Sequence, residues 1–162
     1  MKYAYNLILK NIDNNITVDM IKKVAKFINK NIKDIDGFRK TQVFIKGASD
    51  IPPRSEQVPM LVGELIYKKG KEKNEDIFDY VARFHIEFEH IHPFEDGNGR
   101  TGRVLMAKEL LSRGLAPVVI PYSRRDKYIN CLDGRDTKGL SKMLKDLNEE
   151  ELARMLEFGI KL

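Results

Sequence analysis

Apolar residues recur at three- and four-residue steps along most of this chain, and that periodicity is the strongest constraint on its fold. Ile77, Val81, Phe84, Phe88 and Ile91 make one helical face. Pro93 closes it, because the residue before a proline is pushed out of the helical region. Val18, Ile21, Ala25, Ile28 and Ile32 make a second face, with Thr17 as its N-cap and Asp36-Gly37 as its stop. Val58, Leu61, Val62, Leu65 and Ile66 make a third; Val104, Leu105, Ala107 and Leu111 make a fourth that ends near Gly114. Pro117 and Pro121 bracket an apolar connector, and the pattern resumes through Leu140, Met143, Leu144 and Leu147, then Leu152, Met155 and Leu156. The expected fold class is all-α, with one exception in texture. Thr41 to Lys46 is β-prone, Gly47-Ala48-Ser49-Asp50 suits a turn, and Ile51-Pro52-Pro53 suits an extended exit. A short β-hairpin is expected there, its second strand short or at an edge because two prolines donate no backbone hydrogen bond. Lys68 to Lys73, with Gly70, reads as an exposed loop.

The chain has 162 residues, which suits one domain over 1–162 with a core large enough to need no staples. Hydrophobic residues at 42% and charged residues at 33% fit a globular protein and exclude a disordered one. No apolar run reaches the roughly 18 residues of a membrane span, and the N-terminus lacks a cleavage site of signal-peptide type. No membrane contact is therefore expected. The single Cys131 excludes an internal disulfide and a multi-cysteine zinc site, so the expected compartment is the reducing cytoplasm, with delivery as an effector the alternative. The formal charge of +5 is spread over scattered lysines and favours anionic partners. A basic tail, an aromatic-interleaved strand and a recognition helix are all missing, so neither DNA nor RNA is expected as a partner.

The chemistry concentrates in His92-Pro93-Phe94-Glu95-Asp96-Gly97-Asn98-Gly99-Arg100-Thr101-Gly102-Arg103, between two predicted helices. Gly97, Asn98 and Gly99 tolerate the backbone angles that turn successive N–H groups towards one point, forming an anion nest. The helix that starts there adds about half a positive charge. Arg100 and Arg103, three apart, project to one side and match phosphate oxygens. Asp96 beside such a cradle would be repelled by phosphate unless a cation intervenes, which makes it a candidate Mg²⁺ ligand; its competing reading is a helix cap. His92, at the loop entrance, suits a general base for an incoming hydroxyl.

Other motif readings fail. Residues 97–102 spell G-x-G-x-x-G, but no strand precedes them and no acid follows at the required distance. The phosphate loop of G-x-x-x-x-G-K-[ST] type fails at Arg103-Val104. His85, His90 and His92 fit no zinc-protease spacing. His85 is expected to pack beside Phe84 and Phe88, and His90 to be solvated.

The stretch His92 to Arg103 resembles the H-P-F-x-[D/E]-G-N-G-R-x-x-R signature of the Fic domain family. Gly37-Phe38-Arg39 with the hairpin that follows, about 41–53, resembles the family's flap, and Arg125-Asp126-Lys127-Tyr128 resembles its nucleotide-side segment. The likeness spans roughly 15 to 147. It implies a helical core and a protein adenylyltransferase that moves AMP from ATP to a Ser, Thr or Tyr hydroxyl of a target, releasing pyrophosphate. On this likeness His92 is the base and Phe94 the buried anchor. Asp96 binds Mg²⁺ or Mn²⁺. Gly97, Asn98, Gly99, Arg100 and Arg103 hold the phosphates, with Arg103 at the γ-phosphate. Tyr128, Ile129 and Asp136 are the implied nucleoside contacts. Val43, Phe44 and Ile45 form the implied strand on which the target docks by strand addition, and Ile51 clamps the modified side chain. Alternative readings keep the scaffold but transfer UMP, GMP, phosphocholine or phosphate, or make the chain a non-catalytic nucleotide- or partner-binding module. Self-modification is a further expectation. Many members carry an inhibitory [S/T]-x-x-x-E-[G/N] helix; no Ser or Thr here has Glu four residues later. Three origins stay open for the missing segment: a separate small partner, loss, or a helix upstream of Met1 in a longer protein.

Overall fold

A computed structural model describes residues 1–45, 47, 50–68 and 76–160. Among them are seven α-helices: α1 (Lys2–Lys10), α2 (Val18–Ile28), α3 (Val58–Lys68), α4 (Ile77–Ile91), α5 (Asn98–Leu111), α6 (Arg125–Asp133) and α7 (Thr137–Glu157). Short 3₁₀ turns at Ser55–Gln57 and Tyr122–Arg124 lead into α3 and α6.

Helix α4 is the central rod, packed by α3, α5, α6 and α7. Its sequence explains this: Phe78, Val81, Phe84, Phe88 and Ile91 are buried, and so are Tyr80, Ala82, His85 and Ile86 on its other faces. A helix buried nearly all round is core. Full burial of a side chain such as Phe84 or Phe88 stabilises by about 1.5–3 kcal/mol. Asp76 caps the start of α4, its Oδ1 accepting from Phe78 N at 2.9 Å. Helix α5 lies beside it, with Val104, Leu105, Met106, Ala107 and Leu110 all buried. The hinge between the two is therefore fixed from both sides, and that hinge is the glycine-rich loop.

Thr17 caps α2 as its position suggests, with Oγ1 accepting from Met20 N at 3.1 Å. The helix ends earlier than its apolar pattern implies. Asn29 is its C-cap, Asn31 has φ +68°, and Ile32 is 63% exposed. A left-handed residue cannot continue a helix, so Ile32 leaves the buried face. Helix α1 was not anticipated by the periodicity; Ala4 and Ile8, one turn apart, seal it onto α2 and α5.

The expected hairpin is corrected. Among the described residues no β-strand forms: Gln42 to Ile45 and Ile51 to Pro53 have no regular secondary structure and no backbone ladder. Lys46, Ala48 and Ser49 of the expected strand and turn, and Lys69 to Lys73 of the lysine-rich loop, lie outside the described residues. Pro52 and Pro53 offer no N–H for a ladder. The two limbs are joined instead by side chains. Gln42 Nε2 donates to Pro52 O at 2.9 Å, while Arg39 donates to Thr41 O at 3.0 Å and to Pro53 O.

Candidate active site

His92 ends α4 in the left-handed conformation, φ +49° and ψ +60°, which is uncommon for a residue with a Cβ. His92 lines an open cleft of about 750 Å³ between the flap limbs, α3, α4 and α6. Ile51, Pro53, Leu61, Arg125 and Ile129 line other parts of that cleft. With the proton on Nδ1, the ring donates to Glu89 O at 3.3 Å. That tautomer leaves the lone pair on Nε2 free to accept a proton. Burial pulls the His92 pKa below its ordinary value; the Glu89 carbonyl bond and Asp96 oppose this, and Arg39 adds to it. The net shift favours the neutral ring.

The loop after His92 is locked by its own side chains. Phe94 is fully buried and meets the Phe38 ring at 5.6 Å. Asn98 is buried too: Oδ1 accepts from Phe94 N at 2.9 Å, and Nδ2 donates to Phe94 O at 2.8 Å. Its side chain shapes the loop, and what Asn98 presents outward is its backbone. Gly97 sits at φ +76° and no side chain caps α5. The first intrahelical bond is Thr101 N to Gly97 O at 2.8 Å, so the N–H groups of Asn98, Gly99 and Arg100 form the open turn of the helix. Arg100 and Arg103 flank that turn, and the Arg103 guanidinium lies over Gly99. This is a site for an anion with several oxygens.

Asn29, at the end of α2, was missed by the sequence reading and holds the loop from outside. It is fully buried. Its Nδ2 donates to Ala25 O at 3.0 Å and to Asp96 O at 3.2 Å, while its Oδ1 accepts from Arg100 Nη2 at 3.0 Å. A Cβ on Gly97 would come within 2.5 Å of Asn29 Nδ2, so Gly97 is needed for space as well as for φ. Asn29→Ala should lower affinity for a nucleoside triphosphate about tenfold or more, since hydrogen bonds to charged groups are worth about 1.5–3 kcal/mol. Calorimetric titration checks this; unchanged affinity would show that Arg100 needs no such anchor.

Asp96 is partly exposed beside the open helix turn. Its Oδ1 accepts from Gly97 N at 2.6 Å, and its Oδ2 meets Arg100 Nη2 at 3.3 Å. Among the described residues no group of three His, Cys, Asp or Glu could hold a metal ion. A lone carboxylate next to free N–H groups does fit Mg²⁺ bound jointly by phosphate oxygens and water, which is how that ion is commonly held.

Behind Arg103 lies a buried polar cluster that spacing could not reveal. His85 is fully buried and shares a 2.6 Å hydrogen bond between Nε2 and the Tyr128 hydroxyl. Glu89 Oε1 is 3.8 Å from the same nitrogen. Burial pushes the Glu89 carboxyl up to about 7, and the Arg103 charge opposes the shift. Burial likewise pulls His85 down to about 3 and raises Tyr5, whose shift Arg103 again opposes. Gly102 gives the cluster room: a Cβ there would meet Glu89 Oε1 at 2.5 Å. Arg103 lies close enough to this cluster for its charge to oppose the upward shifts of Glu89 and Tyr128. Two of the C-terminal glutamates are engaged elsewhere, Glu150 with Arg124 and Glu151 with Arg154 at 2.6 Å.

The remaining sequence-derived residues separate into two groups. Ile129 lines the cleft, and so do Ile45 and Ile51 of the flap. Phe44 and Ile51 are 76% and 69% exposed, with Val43 and Ile45 half-buried between them. Tyr128 and Asp136 are occupied within the fold. The Tyr128 ring stacks with His85 at 5.8 Å and is buried, and Asp136 caps α7 by accepting from Gly139 N at 2.8 Å. His90 is not solvated as expected; its Nε2 pairs with Leu132 O at 2.7 Å and ties α4 to α6.

A histidine at one end of this loop and an open helix turn at the other, on a helical bundle, place the chain in a known class. The sequence model of the Fic/DOC family matches residues 15–110, and the chain belongs to that family. Among curated proteins it is 32% identical over 159 residues to the protein adenylyltransferase Fic of Drosophila melanogaster and, equally, to that of Drosophila sechellia; the alignment covers 94% of this chain. The chain spans about a third of the length of those relatives. Its fold matches a Fic-domain signalling protein from Bacteroides thetaiotaomicron, with a TM-score of 0.81 and 20% identity over 93% of this chain and 67% of that one. It also matches BepC of Bartonella tribocorum, solved with bound AMPPNP, with a TM-score of 0.59 and 17% identity over 90% of this chain and 84% of that one.

Proposed function

We propose that this domain, taken as a single unit over residues 1–162, is a protein adenylyltransferase that moves AMP from ATP to a hydroxyl side chain of a target protein. The observation that carries the reading is one loop holding both halves of the chemistry: His92 lining a cleft with its Nδ1 against Glu89 O, and within six residues the open first turn of α5 flanked by arginines. The curated relatives are named for this activity, and the AMPPNP in BepC supports the same type of ligand.

In this mechanism the target hydroxyl oxygen attacks the α-phosphorus. Its proton passes to His92 Nε2, the bond from the α-phosphorus to the bridging oxygen breaks, and pyrophosphate leaves with that electron pair. The N–H groups of Asn98, Gly99 and Arg100 hold phosphate oxygens, and Arg100 and Arg103 take the β- and γ-phosphates. Asp96 would hold Mg²⁺ or Mn²⁺, which supplies neutralisation of phosphate charge. The target lies along the flap limb Val43 to Ile45 by strand addition, with Ile51 against the modified side chain. Phe44 and Ile51 are apolar and exposed, as a docking limb requires. The nucleoside lies against Ile129, which lines the cleft, while Tyr128 supports that segment from within the core.

Whole-cell lysate treated with ATP, UTP, GTP or CTP labelled at the α-phosphorus tests the reading. Protein label is expected from ATP well above the other three. Equal use of ATP and CTP would rule out an adenine pocket.

A further inference from the structure

We infer that Arg39 is a positioning residue that couples the target-docking limbs to the backbone carrying His92. Arg39 is 3% exposed, and among the described residues no carboxylate lies within ion-pair distance of it. Its guanidinium instead donates to main-chain carbonyls from three separate stretches. Nε reaches His92 O at 2.8 Å, and Nη2 reaches Ile91 O at 3.4 Å. Nη1 reaches Thr41 O at 3.0 Å, and Nη2 also reaches Pro53 O. Its own backbone N–H donates to Pro93 O at 2.9 Å.

Two of these acceptors are terminal carbonyls of α4, which have no partner within the helix. One belongs to His92 itself, in its left-handed conformation. The other two are the inner ends of the flap limbs, which no backbone ladder joins among the described residues. A planar fork of fixed donors sets the relative placement of all four carbonyls, and a buried cation whose acceptors shift is left unsolvated. The limbs therefore keep their register against His92 through one side chain. A hydroxyl presented by a segment docked on Val43 to Ile45 arrives at Nε2 only if that register holds. The phosphate loop is anchored separately, by Asn29 and by Asn98 on Phe94.

This inference rests on the adenylyltransferase reading for its kinetic arm only. Arg39→Lys keeps the charge but not the fork, and Arg39→Gln removes both. Arg39→Lys is expected to retain wild-type Mg-ATP affinity within about twofold, while kcat towards a protein target falls at least about tenfold and its KM rises. Two readouts need no transfer: tryptic cleavage after Lys40, and the NMR shift and titration of the His92 ring without nucleotide. Both are expected to change together in Arg39→Lys and further in Arg39→Gln, at an unchanged helical circular-dichroism signal. If Arg39→Gln does not fold, Arg39→Lys decides alone. Faster cleavage with an unaltered His92 ring would overturn the coupling. A loss of Mg-ATP affinity equal to the loss of kcat, or wild-type kinetics in Arg39→Lys, would overturn it too. If the wild type transfers nothing while both transfer-free readouts move together, the coupling stands and the functional reading falls.

Discussion

His92→Ala should lower transfer by about 10²–10⁴-fold, the usual contribution of a general base, while leaving Mg-ATP affinity and the helical fold intact. The geometry separates these effects. Among the described residues the His92 ring bonds to no part of the phosphate loop, and its one side-chain bond is the 3.3 Å contact with Glu89 O. Loop and helix turn are held by Phe94, Asn98 and Asn29, none of which depends on the imidazole. The pH dependence follows from the sign of the shift. Burial lowers the His92 pKa below 6.5, so the neutral, basic form persists into more acidic solution than for a free histidine. The acidic limb of the rate profile should therefore fall below the ordinary histidine value. Folding responds in the same direction: a histidine whose pKa drops on folding takes up its proton first in the unfolded chain, so stability declines as pH falls below about 6.5. His85, pulled down to about 3, extends that decline through the acidic range. Rate profiles over pH 5 to 8 for the wild type, and calorimetric ATP titration of both proteins, check these expectations.

Removing divalent cations should be the other large effect. Transfer in excess EDTA is expected to fall by about two orders of magnitude or more, since a bound cation supplies several kcal/mol of charge stabilisation. Asp96→Ala should reproduce most of that loss and flatten the dependence of ATP affinity on Mg²⁺ concentration. The physical reason is local. Asp96 places a carboxylate beside N–H groups that attract phosphate, and without a cation between them the two anions repel. Asp96→Asn keeps the acceptor that Gly97 N requires, so it tests charge apart from loop shape. Undiminished transfer in EDTA would rule out a metal.

The site loop was legible because its chemistry is local. Glycine freedom, a helix start, two arginines three apart and a preceding histidine all follow from adjacent residues, and the helical faces follow from periodicity over one or two turns. The flap limbs misled for the same reason. Thr41 to Lys46 has β texture, but a strand needs a partner's N–H groups, and Pro52 and Pro53 withhold them. Ile32 fits the apolar face of α2 by spacing, yet Asn29 and Asn31 end the helix before it. The second layer of the site was not legible at all. Asn29 reaches Arg100 across 71 residues, Arg39 reaches His92 across 53, and His85 reaches Tyr128 across 43. Each reads in isolation as an ordinary polar residue. Tyr128, an aromatic where a nucleoside contact was expected, turns its hydroxyl inward to His85, and burial raises its pKa.

The most direct measurement compares ATP labelled at the α-phosphorus with ATP labelled at the γ-phosphorus, using lysate proteins as targets and His92→Ala as control. Transfer of AMP by His92 predicts stable protein label from the α-position, label from the γ-position recovered only in pyrophosphate, and neither signal above background with His92→Ala. Protein label from the γ-position, or α-label undiminished in His92→Ala, would contradict the account.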